Sequence, residues 1–140
     1  MQSPKIQLPK WLMNIQYNGC IIPNGETHDI VNTGANCQVF AYQLLRFNDL
    51  VVPDFRSSEL WEDVEFSDLV TEDFRPLDLL FFHRKEEAYG AHIAVYLGEN
   101  RAIHLSRKNE IPVVWEIATF LEQAAYPFLL GGKRFFKKNQ

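Results

Sequence analysis

Near residue 77 the spacing of hydrophobic positions changes from helical to strand-like, and the change divides the chain in two. Before it, Val39, Phe40, Gln43, Leu44 and Phe47 recur close to helical spacing in a stretch free of Gly and Pro, which predicts a helix from Cys37 to Arg46. Thr33 and Asn36 are both suitable residues to cap its start. A shorter helix is expected around Trp11 to Gln16, and another, opened by Asp54, Ser57 or Ser58, through Glu59–Asp63. Residues 18–36 carry Asn18, Gly19, Pro23, Asn24, Gly25, Asn32, Gly34 and Asn36, and read as a loop leading into the main helix.

After residue 77 the pattern predicts strands over 77–82, 91–97, 101–106, 113–115 and 128–135. Gly98-Glu99-Asn100 marks a hairpin turn, and Gly131 or Gly132 a bulge. A helix over 117–125 ends before Pro127. Helices first, then an antiparallel meander, is an α+β layout with the helices packed on one side of the sheet.

A chain of 140 residues fits one domain, and its 46% hydrophobic and 14% aromatic residues suffice for a core without staples. The net charge of −4 and the absence of a basic stripe argue against nucleic acid as a partner. Lys133, Arg134, Lys137 and Lys138 read as a solvated edge. No apolar run reaches the roughly 18 residues of a membrane span. Met1–Trp11 has no apolar core of a signal peptide, so a cytoplasmic location is the expectation for the chain as it stands.

Two cysteines, Cys20 and Cys37, are too few for a disulfide framework and lack zinc-site spacing. A Cys20–Cys37 bridge stays open at this point, and it would block thiol chemistry. A cysteine in the first turn of a helix meets free N–H groups and the helix dipole, which favour the thiolate and lower its pKa. Those N–H groups also suit a developing oxyanion. Catalysis then needs a base and a polar group to orient it. Of His28, His83, His92 and His104, the second pair is informative, because 92 and 104 are equidistant from Gly98 and would face each other across a hairpin. His92 is the candidate base and His104 the candidate orienting group. No carboxylate or thiol completes a metal site around them. Taken alone, a buried cysteine is more often packing, and a strand histidine more often structural.

Asn36-Cys-Gln-Val-Phe40, Asp78-Leu-Leu-Phe-Phe82, His92-Ile-Ala-Val-Tyr-Leu-Gly98, Ala102-Ile-His-Leu-Ser106 and Leu130-Gly-Gly-Lys-Arg-Phe135 follow one another in the order of the NlpC/P60 cysteine peptidases. The chain resembles that family from Thr33 to Phe135, within a single catalytic domain taken as residues 1–140. The resemblance implies a papain-like fold and hydrolysis of amide bonds in bacterial peptidoglycan stem peptides. Many members cut between D-glutamate and diaminopimelate or lysine. It also implies Cys37 as nucleophile, His92 as base, His104 as orienting residue, and neither metal nor organic cofactor.

The flanking residues depart from the pattern. The family usually has Asp before the nucleophile and Ser-Gly after it, where this chain has Asn36, Gln38 and Val39. In members that require a free amine, the Asp and Ser help hold it. A family Tyr about a dozen residues before the Cys falls here at Asn24-Gly25, leaving Tyr17 as the substitute. Asn36, Gln38 and Tyr17 are therefore the candidate substrate-binding residues. Two other readings stand beside the peptidase: a cysteine amidase or acyltransferase on a non-murein substrate, and a catalytically silent binding protein on the same scaffold. Lecithin:retinol acyltransferase-like proteins share the Asn-Cys pair, but their His block precedes the Cys. Elsewhere, Glu26, His28 and Asp29 are read as exposed loop residues before Cys37. Trp61 and Trp115 are read as core, and Phe81 and Phe82 as straddling the sheet.

Overall fold

The computed structural model of the chain describes residues 6–24 and 29–137, so Glu26 and His28 lie outside the described residues. The chain builds a six-stranded antiparallel sheet with helices, as the α+β reading anticipated. In chain order the strands are β1 (Ser67–Val70), β2 (Leu79–His83), β3 (His92–Gly98), β4 (Arg101–His104), β5 (Val113–Glu116) and β6 (Phe128–Phe135). Their spatial order is β1-β6-β2-β3-β4-β5. The helices are α1 (Ile30–Thr33), α2 (Cys37–Phe47), α3 (Ser57–Glu62) and α4 (Ile117–Leu121), preceded by a 3-10 turn at Lys10–Asn14. None of the described helices is long and apolar enough to cross a membrane.

Alternation along the strands sorts side chains onto two faces. Leu79, Phe81, Ile93, Val95 and Ile103 join Val39, Phe40, Leu44 and Leu45 of α2 in the main core. Each such side chain, fully buried, is worth roughly 1.5–3 kcal/mol. The opposite face carries Leu80, Phe82, Ala94, Tyr96 and Ala102, covered by Phe120 of α4, whose ring stacks on Phe82 with centroids 4.3 Å apart, so the helices do not all pack on one side of the sheet as the sequence led one to expect.

Three differences from the sequence expectation have local causes. The β3–β4 turn is a two-residue one, with Glu99 and Asn100 both at positive φ (53° and 60°), followed by a register shift between Tyr96 and Gly98. Tyr96 therefore opposes Ala102 and Val95 opposes Ile103. His92 and His104 are thus not direct cross-strand partners. Continuing that register, they share a face and meet on the diagonal.

The helix at 117 stops at Leu121, because the Tyr126 N–H turns back to the Gln123 carbonyl (3.0 Å) ahead of Pro127. Third, the basic C-terminal stretch is not a solvated edge throughout. Lys133 is 2% exposed, and its Nζ donates to the carbonyls of Trp61 (3.2 Å) and Asp63 (2.5 Å) at the end of α3. Arg134 makes two bonds to the buried Asp78 carboxylate, at 2.9 and 2.8 Å.

Candidate active site

Asn36 starts α2. Its Oδ1 accepts the Val39 N–H at 2.8 Å, which satisfies one of the free donors of the first turn and sets Cys37 as the first helical residue. The approach to it is fixed by a short parallel pairing: the Ala35 N–H donates to the Gln16 carbonyl (3.0 Å), and the Asn18 N–H donates to the Ala35 carbonyl (2.9 Å). Gly34 makes this possible, with φ of 76° and a position where a Cβ would lie 2.5 Å from the Gln16 oxygen. The result sets Tyr17 beside the start of α2, packed on the same cluster as Cys37. No signal in the 18–36 composition pointed to this pairing.

Both cysteines are free, Cys20 exposed and Cys37 half-buried. The Cys37 thiol comes up against β3, where the Ile93 N–H is directed at it together with the N–H groups of Gln38 and Cys37 itself. Burial nevertheless pushes its pKa above the ordinary thiol value, and the three N–H groups only partly offset that. The expectation of a lowered thiol pKa is corrected accordingly: desolvation outweighs the helix start.

Next to Ile93, the His92 Nε2 lies 2.8 Å from the His104 Nδ1, with the rings edge to face. Tyr126 stacks on His92 at 4.6 Å, and Trp115 and Phe120 pack on His104 at 4.3 and 4.6 Å. Burial lowers the pKa of both imidazoles, with the neighbouring His104 lowering His92 further; His104 falls to about 4. At neutral pH the row is a neutral thiol and two neutral rings. Among the described residues no hydrogen bond links Sγ to either ring. Such contacts often tighten only once substrate is bound.

Burial raises the pKa of Tyr126, and the nearby Cys37 and Tyr17 add to the rise. Sequence reasoning missed Tyr126, because its place over His92 depends on the turn after α4. The Gln38 side chain is turned inward: its Nε2 donates to Tyr42 Oη (3.0 Å) and its Oε1 accepts from Ser57 Oγ (3.1 Å). Gln38 and Asn36 line a cleft of about 250 Å³ with Ile22, Pro23, Arg56 and Ser57. Among the described residues no three His, Cys, Asp or Glu side chains are grouped to hold a metal ion.

A cysteine at the start of a buried helix, set against a sheet that carries paired histidines, defines a papain-like α+β class. The sequence profile of the NlpC/P60 family matches residues 24–123, and the chain belongs to that family. Solved structures agree on the fold. A family protein from Bacillus cereus is 19% identical (TM-score 0.54) over 74% of this chain and 32% of its own. The peptidoglycan hydrolase RipB from Mycobacterium tuberculosis is 16% identical (TM-score 0.56) over 91% of this chain and 60% of its own. The P60 domain of an antigen from M. avium subspecies paratuberculosis is 16% identical (TM-score 0.58) over 91% and 88%. The chain thus spans about a third of the first protein and about three fifths of the second. No curated protein sequence matches the chain.

Proposed function

We propose that the protein is a cysteine peptidase acting on amide bonds of bacterial peptidoglycan stem peptides, with Cys37 as nucleophile, His92 as base and His104 as the residue that orients it. The observation that carries this reading is the 2.8 Å contact between the two imidazoles beside the strand residue whose N–H meets the thiol. Family membership and the likeness to RipB, a peptidoglycan hydrolase, support the substrate class.

The hydrogen bond engages His92 through Nε2, which leaves Nδ1 to take the thiol proton. For Nδ1 to accept, Nε2 must carry the ring hydrogen and donate it to His104 Nδ1. The His104 proton then sits on its Nε2, a buried atom with no hydrogen-bond partner among the described residues, enclosed by Trp115 and Phe120. In that tautomer His104 accepts from His92. Because thiol and base are both neutral at rest, proton transfer accompanies attack instead of preceding it. Sγ bonds to the scissile carbonyl carbon as its proton passes to His92, and the oxyanion is met by N–H groups at the start of α2. Collapse expels the amine, which takes that proton. Water, deprotonated by His92, then hydrolyses the thioester and restores Cys37.

Product mass spectrometry on a defined mixture of muropeptides tests this. Cleavage by the wild type, abolished in Cys37→Ala and His92→Ala, is the expected result; undiminished cleavage by Cys37→Ala would exclude the mechanism. The raised thiol pKa favours a second reading, a catalytically silent binding protein on this scaffold, which predicts no turnover of any amide by the wild type. The inward-turned Gln38 favours a non-murein amidase or acyltransferase, which predicts turnover of protein or lipid amides and none of muropeptides.

A further inference from the structure

As the base of the proposed reaction, His92 has to offer one particular atom, Nδ1, to the thiol. Its contact with His104 is made at the other ring nitrogen, Nε2, at 2.8 Å. One hydrogen bond at one corner of a ring fixes that corner and leaves the rest of the ring free to swing about it. No hydrogen bond holds Nδ1 among the described residues. What limits the swing is a flat wall. The Tyr126 ring lies within 17° of parallel to the His92 ring, with centroids 4.6 Å apart, and no other ring stacks on His92 among the described residues.

The wall is built out from α4. Phe120 is fully buried, stacked on Phe82 at 4.3 Å and packed on His104 at 4.6 Å. Beyond it the chain is fastened turn by turn. The Gln123 N–H donates to the Phe120 carbonyl and the Tyr126 N–H to the Gln123 carbonyl, both at 3.0 Å, while Gln123 Nε2 donates to the Thr119 carbonyl at 3.1 Å. Pro127 then restricts the backbone of Tyr126 from the other side. The phenol oxygen makes no hydrogen bond among the described residues, so the contact with His92 belongs to the ring alone.

From this arrangement we infer that Tyr126 is a positioning residue of the reaction: its ring holds the His92 imidazole in the orientation that keeps Nε2 on His104 and leaves Nδ1 for the thiol. The aromatic face also suits the positive charge that His92 takes on while it carries the thiol proton, an interaction absent at rest and present at the barrier. Loss of the ring therefore acts on the chemical step and spares substrate capture. This rests on the cysteine hydrolase reading, since orientation of His92 serves a proton transfer.

The test compares Tyr126→Phe, which keeps the ring, with Tyr126→Leu, which fills much of the same space without one, and with Tyr126→Ala. In Cys37→Ala protein labelled with 15N-histidine, long-range 15N–1H spectra at pH 7 should show His92 as a single tautomer with its hydrogen on Nε2. Tyr126→Phe in that background should keep this signature, and Tyr126→Leu and Tyr126→Ala should replace it with averaged nitrogen shifts. In the active protein, kcat for a defined muropeptide should fall about tenfold or more in Tyr126→Leu, with KM within about twofold of wild type and Tyr126→Phe close to wild type in both. A wild-type kcat in Tyr126→Leu, an equal loss in Tyr126→Phe, or a fixed His92 tautomer in Tyr126→Ala would overturn the inference. Those failures appear against an active wild type and leave the hydrolase reading intact. A wild type that cleaves no muropeptide ends that reading instead, and the Cys37→Ala spectra still decide whether Tyr126 orients the ring.

Discussion

Acidification should load charge onto a histidine pair that folding keeps neutral. His104 is 1% exposed, and burial lowers its pKa to about 4; His92 is lowered by burial and by His104. In the unfolded chain both rings titrate near 6.5. Between those values the unfolded state binds more protons than the native state, so stability must fall as pH falls. For His104, going from pH 7 to pH 5 costs about 2 kcal/mol. His92, partly open to water, adds a smaller loss of about 1 kcal/mol. Urea unfolding at the two pH values measures the total, and the same experiment on a His92→Gln/His104→Gln variant removes the contribution of every other group. The wild type should lose about 3 kcal/mol more than the variant. Parallel pH dependences would refute the claim that this pair is buried and uncharged.

Other consequences follow from the same geometry. In a Cys20→Ser background, alkylation of Cys37 by iodoacetamide should be slow at pH 7 and climb through pH 9, since burial raises its pKa; a rate already level below pH 7 would indicate a preformed thiolate. Gly34→Ala should cost about 2 kcal/mol by thermal unfolding, because the position has φ of 76° and the new Cβ meets the Gln16 carbonyl. Wild-type stability in that variant would show that the pairing beside Tyr17 yields easily. Lys133→Met should cost about 2 kcal/mol, by leaving the Trp61 and Asp63 carbonyls without their donor, and denaturant unfolding reads it directly.

What could be read from the chain depended on how local the determining contact was. The helix from Cys37, its Asn36 cap and five of the six strands are written in nearby residues and appear with ends shifted by a few positions. β1 was missed, because Ser67-Asp-Leu-Val70 has only two apolar residues and exists as a strand by pairing with β6, more than sixty residues on. The contact of His92 with His104 was legible although the register was not. Any pairing error of two residues keeps side chains on the same face, so the diagonal replaced the direct partner. The thiol pKa was misread because composition reveals a helix start but not how much protein closes over it. Tyr126 escaped notice for a similar reason: it reaches His92 through a turn whose path is set by contacts distant in the sequence.

Rapid-quench intact-protein mass spectrometry during turnover of a stem peptide, followed by peptide mapping, addresses the catalytic assignment most directly. The account predicts a transient species heavier by the acyl fragment, carried on Cys37 and absent from Cys37→Ser/His92→Ala protein. Steady hydrolysis with no acyl group on Cys37, or with the group on another residue, would contradict it.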